Sequence, residues 1–147
     1  MKISRHLNLE DCTKSQTAIR LGIKNTPNDE QLKWMVEVAK IFDVVKDKFP
    51  TAVVSSFFRN DALNKAIGGA IGSQHAKGQA IDIDSPNNEY NRLIFEFIKS
   101  NFETDQLIFE FGNDLNPDWV HVSISDKPRK QVLKAIKQGK KTVYVNY

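Results

Sequence analysis

Two histidines and one aspartate are the residues of this sequence whose types and spacing best suit catalysis. His75 and Asp82 lie seven residues apart, Asp82 belongs to an alternating apolar run, and His121 lies in another such run far along the chain. Two imidazoles and one carboxylate form the ligand set of a catalytic zinc site, in which water fills the fourth position. We therefore interpret His75, Asp82 and His121 as the ligands of one Zn²⁺ ion.

The elements that position these ligands can be predicted from periodicity. In an alternating strand, Asp82 points away from the isoleucines on either side of it, and His121 points away from its flanking valines. If the two strands pair with their apolar sides together, Asp82 and His121 share the opposite face. Gly78 allows the connecting loop to fold back and bring His75 to them.

The rest of the chain predicts an α+β domain. Helical spacing over 29–49 and 87–100 alternates with short strand patterns at 51–56, 80–84, 106–111 and 119–125. We expect a small, mainly antiparallel sheet with helices packed on one side. Pro128 is predicted to begin a last helix that Gly139 ends, before a terminal strand over 142–145.

Bulk properties exclude several classes of protein. A length of 147 residues predicts one domain, and the single cysteine, Cys12, excludes an internal disulfide and a cysteine-based zinc site. No run approaches the ~20 apolar residues of a membrane span. The first six residues lack the apolar segment of a signal peptide, so we expect synthesis in the cytoplasm.

Basic residues are concentrated at the end of the chain. The net charge is only +3, yet seven lysines and arginines and no acidic residue follow Asp126. This pattern is typical of a solvated helix face, or of a surface that adheres electrostatically to a bacterial cell wall through Lys127–Lys141. Nucleic acid is disfavoured as a partner because no aromatic residue interleaves with these charges before Tyr144.

The residues around the candidate ligands carry a family resemblance. The pattern Ser73-x-His75-x-x-Gly78-x-Ala80-x-Asp82-Ile83, with Trp119-x-His121, resembles the M15 family of zinc peptidases. That family includes D-Ala-D-Ala carboxypeptidases and L-alanyl-D-glutamate endopeptidases that cut peptidoglycan peptides. Segments 15–27 and 63–69 are similar to its short phage and prophage members. The resemblance covers about residues 7–125.

The resemblance implies a fold and an organisation for the whole chain. The fold would be of the Hedgehog/D-Ala-D-Ala peptidase type. It would form one zinc peptidase domain over 1–147, with an N-terminal segment at 1–27 and a basic C-terminal helix and tail at 127–147. We expect a monomer that acts at the bacterial cell wall after release, or as a virion component.

The resemblance also implies roles for individual residues. It places the metal on His75, Asp82 and His121, and the general base on Asp118, three places before the last ligand. Arg59, in the run Ser56-Phe57-Phe58-Arg59, would bind the substrate and steady the oxyanion. Ser73 matches a serine that contacts the substrate in relatives.

The residue types alone leave the roles of three further residues open. Glu110 or Asp84 could orient a ligand histidine through its second nitrogen. Trp119 could form the floor of the site or pack in the core.

We therefore predict a zinc metallopeptidase that hydrolyses peptide bonds in peptidoglycan stem peptides, with a metal-bound water as nucleophile and Asp118 as general base. The sequence leaves open whether it is an endopeptidase or a carboxypeptidase. The main alternative is a non-catalytic wall-binding or virion structural module that retains the zinc fold. A DNA-binding domain is a third hypothesis, which predicts steeply salt-dependent binding.

Overall fold

A six-stranded sheet forms the centre of the computed structural model, which describes residues 1–147. The strands are Val53–Ser56 (β1), Ala80–Asp84 (β2), Gln106–Glu110 (β3), Trp119–Ser123 (β4), Gln131–Gln138 (β5) and Lys141–Asn146 (β6). Their order in the sheet is β1-β2-β4-β3-β5-β6. All neighbouring pairs are antiparallel except β3 and β5, which run parallel.

The helices differ widely in length, and the two longest make most of the contacts with the sheet. Asn28 begins the longest of them with a capping box, in which its side chain and that of Gln31 each accept the other residue's main-chain N–H. None of the helices is both long and apolar enough to cross a membrane. They are Leu9–Thr13 (α1), Gln16–Leu21 (α2), Asp29–Lys48 (α3), Asp61–Ala66 (α4), Asn88–Asn101 (α5) and a 3₁₀ helix, Gln74–Lys77.

The hydrophobic core lies between one face of the sheet and the helices α3 and α5. Alternation along each strand sends its apolar residues to this face, as Ile81, Ile83, Val120 and Val122 show, and all four are fully buried. The predicted α+β class, with a mainly antiparallel sheet and helices packed on one side, is confirmed. The other face of the sheet is free for polar residues.

The N-terminal segment is fixed to α3 by one buried carboxylate. Asp43 accepts hydrogen bonds from Ser4 Oγ at 2.7 Å and from the main-chain N–H groups of Arg5 and His6 at 3.0 and 3.1 Å. The ring of His6 lies 2.7 Å from Asp47. The side chain of His6 therefore contacts the surface of α3.

The predicted C-terminal helix is wrong, because residues 131–146 form the hairpin β5–β6. Val132, Leu133 and Ile136 fit a helical spacing, but Gln138 and Lys141 pair across a two-residue loop containing Gly139, whose φ is +63°. The run of β-branched and aromatic residues at 142–145 favours a strand, and its partner strand is β5. The predicted terminal strand is confirmed within β6.

Asp105 anchors the start of this hairpin to the body of the protein. Its buried carboxylate accepts hydrogen bonds from the Arg129 guanidinium at 2.6 and 3.0 Å, from the Arg129 main-chain N–H at 2.8 Å and from Gln74 Nε2 at 2.9 Å. The hydrogen bonds from the Arg129 side chain outweigh the effect of burial and lower the pKa of Asp105 to about 2. One carboxylate therefore connects β3, the 3₁₀ helix and the hairpin.

We expect Asp105→Asn to lower the free energy of unfolding at pH 7 by about 1–3 kcal/mol, because it removes charge-assisted hydrogen bonds. A lowered pKa contributes stability that is present above pH 4 and lost as the pH falls towards 2. The difference between parent and variant should therefore shrink over that interval in urea unfolding curves. Glu103→Gln is the control, because Glu103 forms only an exposed pair with Lys130. A constant difference from pH 7 to pH 2 would contradict the assignment.

Candidate metal centre

The three predicted ligands come together on the polar face of the sheet. β2 and β4 pair with Asp82 directly opposite His121, and the 3₁₀ helix brings His75 over the same position. His75 Nε2 lies 3.3 Å from one Asp82 oxygen, and His121 Nδ1 lies 2.9 Å from the other. One ligand atom from each residue lies within 4.8 Å of the other two. That spacing suits a single ion.

The hydrogen bonding of His75 fixes which of its nitrogens can bind a metal. His75 Nδ1 lies 2.6 Å from the main-chain oxygen of Phe57. A carbonyl only accepts, so Nδ1 carries the proton and the lone pair of Nε2 faces Asp82. The second nitrogen of His75 is therefore oriented by a backbone carbonyl, not by Glu110 or Asp84.

Electrostatics keep the third ligand ionised. Burial by itself would raise the pKa of Asp82, but the two imidazoles, with His75 the stronger influence, outweigh it and lower the pKa below its usual range. A partly buried carboxylate beside two imidazole rings is a donor set that binds Zn²⁺ and other borderline divalent metals. The residues present therefore fit a metal ion.

Gly78 gives the 3₁₀ helix its position under α3. Its φ is +76°, and an added Cβ would lie 2.5 Å from the main-chain oxygen of Gln31 and 2.9 Å from Met35 Cγ. Gln31 also donates its side-chain N–H to the oxygen of Ala76 at 3.0 Å. The first ligand is thus held by direct contact between its own turn and the longest helix.

The candidate ligands lie in an open cleft of roughly 550 Å³. Loop residues 70–74 form one wall, and the hairpin forms another through Lys137, Thr142 and Tyr144. Trp119 lines the cleft and packs against Phe111 with ring centroids 5.4 Å apart, so its side chain belongs to the site rather than the core. An extended peptide could enter such a cleft.

Arg59 reaches the same cleft from the end of β1. Its Nη1 donates to Ser56 Oγ at 3.2 Å, whereas its buried Nε has no hydrogen-bond partner. Burial lowers the pKa of Arg59, with Asp82 opposing that effect, and a guanidinium remains charged in either case. An unpaired buried N–H of this kind is available to a ligand.

Ser73 also lines the cleft, at the start of the 3₁₀ helix. Its Oγ accepts the main-chain N–H of His75 at 3.3 Å and so caps the turn that carries the first ligand. Its role as a substrate contact stays a prediction.

Asp118 lies at a bend just before β4, and its exposed carboxylate contacts the start of α5. Asn88, at the start of α5, donates to its carboxylate at 3.1 Å, and the main-chain N–H of Asp118 donates to the oxygen of Glu110 at 2.9 Å. Asp118 does not line the cleft. Its role as general base stays a prediction.

Glu110 and Asp84, which the sequence left open as orienting groups, have different environments. Asp84 accepts hydrogen bonds from Asn91 Nδ2 and the main-chain N–H of Ser85, both at 2.8 Å, so it serves the loop before α5. Glu110 lies in the cleft, and burial raises its pKa to about 7, with His121 lowering it and Asp82 adding to the rise. The placement of Glu110 could have been predicted from the two-residue alternation of β3, which puts Gln106, Ile108 and Glu110 on the face that lines the cleft.

We expect Gly78→Ala to lower stability and zinc affinity together, because the methyl group meets backbone of α3 and displaces the turn that carries His75. Gly68→Ala is a matched control, since Gly68 has the same φ of +76° but open space around it. Urea unfolding should show that the free energy of unfolding falls by about 1–3 kcal/mol more in the Gly78 variant than in the Gly68 variant. Equal losses in both variants would mean that the contact with Gln31 has no effect.

Comparison with known proteins agrees with this geometry. No curated protein sequence matches the chain. The model of the family Peptidase M15 matches residues 5–123, a range that contains all three candidate ligands and ends at the last residue of β4. A match over that length, on a fold whose His-Asp-His group could hold a metal, shows that the chain belongs to the M15 family of metallopeptidases.

Proposed function

We propose that this protein is a zinc-dependent peptidase that hydrolyses peptide bonds in bacterial peptidoglycan stem peptides. The observation that carries the proposal is the convergence of His75, Asp82 and His121 at an open cleft. Family membership supports a peptide substrate. The resemblance to phage and prophage members supports the bacterial cell wall as the site of action.

A bound zinc ion would supply Lewis acidity and lower the pKa of an attacking water, which are the two requirements of amide hydrolysis. The protein's own residues determine the positions of the metal ligands. His75 is held in one tautomer by the Phe57 carbonyl, and Asp82 is fixed by pairing of β2 with β4. The ligands are therefore in place before an ion or a substrate arrives.

Arg59 is proposed as the residue that binds the substrate and stabilises developing negative charge. Its side chain lines the cleft with Nε unpaired, so it can donate to a carbonyl oxygen or a terminal carboxylate. Ser73 is proposed as a second substrate contact, because it lines the same cleft close to His75.

Proton transfer requires a carboxylate near the attacking water. The family resemblance proposes Asp118. For that role its carboxylate would have to release Asn88 and turn towards the cleft. Measured cleavage by an Asp118→Asn variant is therefore a direct test of the prediction.

The basic C-terminal residues are proposed as an electrostatic contact with the wall. Within the chain, Arg129 pairs with Asp105, Lys130 lies 3.6 Å from Glu103 and Lys134 lies 3.5 Å from Asp114. Much of the excess charge is therefore compensated locally. Wall adhesion would depend mainly on Lys127, Lys140 and Lys141, which are exposed.

The central test combines a metal assay with digestion of purified peptidoglycan. We expect His121→Ala to lower zinc affinity by more than the ~10–100-fold typical of losing an outer-shell partner, and to abolish release of new amino termini. His6→Ala is the matched control, because the side chain of His6 forms its hydrogen bond with Asp47 on α3, away from the candidate ligands. Mass spectrometry of the fragments identifies the bond that is cut. A non-catalytic wall-binding module would instead sediment with walls and release nothing.

For Arg59, we expect Arg59→Ala to retain stoichiometric zinc and to lose ~10²–10³-fold in kcat, the usual cost of removing one oxyanion donor. Arg59→Lys should recover only part of the rate, because an ammonium cannot reproduce the guanidinium fork. Single-turnover cleavage of a purified stem peptide measures both. An Arg59→Ala variant with an unchanged rate would exclude the proposed role.

A further inference from the structure

The cleft extends beyond the candidate ligands onto the hairpin β5–β6. Glu110 of β3 pairs with Ala135 of β5, and Ala135 pairs with Tyr144 of β6. Side chains two residues apart on a strand share a face, so Lys137 and its pair Thr142 lie on the same face as Tyr144. These three side chains line the cleft. The hairpin therefore contributes one ammonium group and two hydroxyl groups to the wall.

The ammonium group of Lys137 is not neutralised by a carboxylate of the protein. Three other basic residues near it form ion pairs with carboxylates, namely Arg129, Lys130 and Lys134. Lys137 is exposed, and its ammonium instead donates a hydrogen bond to Thr142 Oγ1 at 3.1 Å. A hydroxyl group accepts a hydrogen bond without removing the charge. The positive charge is therefore available to an anion that enters the cleft.

Aromatic side chains support the ammonium group at this position. The Lys137 ammonium lies 5.1 Å from the ring centroid of Phe111, which is a cation–π distance. Phe111 in turn packs against Trp119. The φ of Phe111 is +56°, a conformation that bulky residues rarely adopt and that persists where the surrounding structure requires it. The three side chains form a continuous row from β4 to the hairpin.

The strand register gives the distance from this row to the candidate ligands. Ile108 pairs with both His121 and Leu133, so those two residues lie level in the sheet. β5 is two strands from β4, which is ~10 Å, and Lys137 lies four residues beyond Leu133, which is ~13 Å. An extended peptide covers the resulting span of roughly 16 Å in about five residues, and the reach of a lysine side chain shortens it to about three or four.

We propose that Lys137 and Tyr144 form a subsite that binds a carboxylate of the substrate peptide, about three to five residues from the scissile bond. The inference rests on the proposed function and specifies its substrate class as an acidic peptide. Stem peptides contain D-glutamate and so carry a carboxylate that this subsite can recognise. Arg59 follows β1, at the opposite edge of the sheet, so the two cations contact different parts of one peptide.

Tyr144 complements the lysine as a neutral donor. Burial raises the pKa of Tyr144, and the carboxylates of Glu110 and Asp82 add to the rise, so its hydroxyl stays protonated at neutral pH. A protonated hydroxyl donates a hydrogen bond to a carboxylate. The position of the subsite itself follows from the register of the hairpin and from the charge of Lys137.

The experiment measures cleavage of two purified stem peptides, one with free carboxylates and one with those carboxylates converted to amides. We expect Lys137→Met to reduce the preference for the acidic peptide by ~5–20-fold through a higher KM, the cost of losing one charge-assisted hydrogen bond at an exposed site. Its kcat should stay within about two-fold of the parental value, because binding far from the scissile bond is lost equally in ground and transition states.

Lys134→Met is the matched control, because it removes the same charge from the same strand. Lys134 contacts Phe109 and Asp114 and does not line the cleft, so this variant should keep the parental preference. Lys137→Arg retains the charge and should keep most of the preference. Thermal unfolding checks that each variant is folded, and Lys137→Gln replaces Lys137→Met if the latter is not.

The outcomes separate this inference from the proposed function. An active parent whose preference is unchanged in Lys137→Met, or falls equally in Lys134→Met, overturns the subsite and leaves the proposed function intact. A zinc-loaded parent that cleaves neither peptide refutes the proposed function. Calorimetry then tests the subsite alone: tighter binding of the acidic peptide by the parent but not by Lys137→Met supports it, and equal binding by both proteins overturns it.

Discussion

The site depends on the antiparallel register that places Asp82 opposite His121. A shift of β2 against β4 by one residue would turn the side chains of the shifted strand over, so that one ligand would enter the hydrophobic core and an isoleucine or valine would face the cleft. The cost of such a shift is high because Ile81, Ile83, Val120 and Val122 fill the core between the sheet and the helices. Hydrophobic packing on one face therefore enforces ligand geometry on the other.

The two faces of the sheet separate stability from chemistry. Helices α3 and α5 cover the apolar face, while the polar face carries the candidate ligands, Arg59 at its margin and Glu110 in the next row of side chains. The connections between the faces are few and specific. Gly78 allows the turn of His75 to touch α3, and Asp105 joins that turn to the hairpin.

Alternating sequence patterns predicted the candidate ligands well because both strands are short, regular and apolar on one side. The ranges of β2, β3 and β4 follow the predicted segments closely, and periodicity alone indicated that Asp82 and His121 share a face. The position of His75 could be expected only from Gly78, whose positive φ reverses the chain. Its partner, the Phe57 carbonyl, has no side-chain signature and could not be predicted.

The wrong prediction of a C-terminal helix has a physical origin, because tertiary pairing overrode local pattern. Val132, Leu133 and Ile136 satisfy a helical spacing, yet β3 offers an unpaired edge that β5 completes in parallel. The family resemblance places the general base at Asp118, which accepts a hydrogen bond from Asn88 in this structure, and that role stays a prediction. The two-residue period of β3 places Glu110 towards the cleft.

The hairpin β5–β6 lies beyond the residues that the family model matches, yet it covers the edge of β3. Without it, the Leu107-Ile108-Phe109 stretch would present open backbone donors and acceptors, which is a template for intermolecular β-pairing. The strands that do form the outer borders are poorer templates: β1 is only four residues long with an irregular register, and β6 begins with a lysine. The C-terminal segment thus protects the folded enzyme against aggregation while it shapes the cleft.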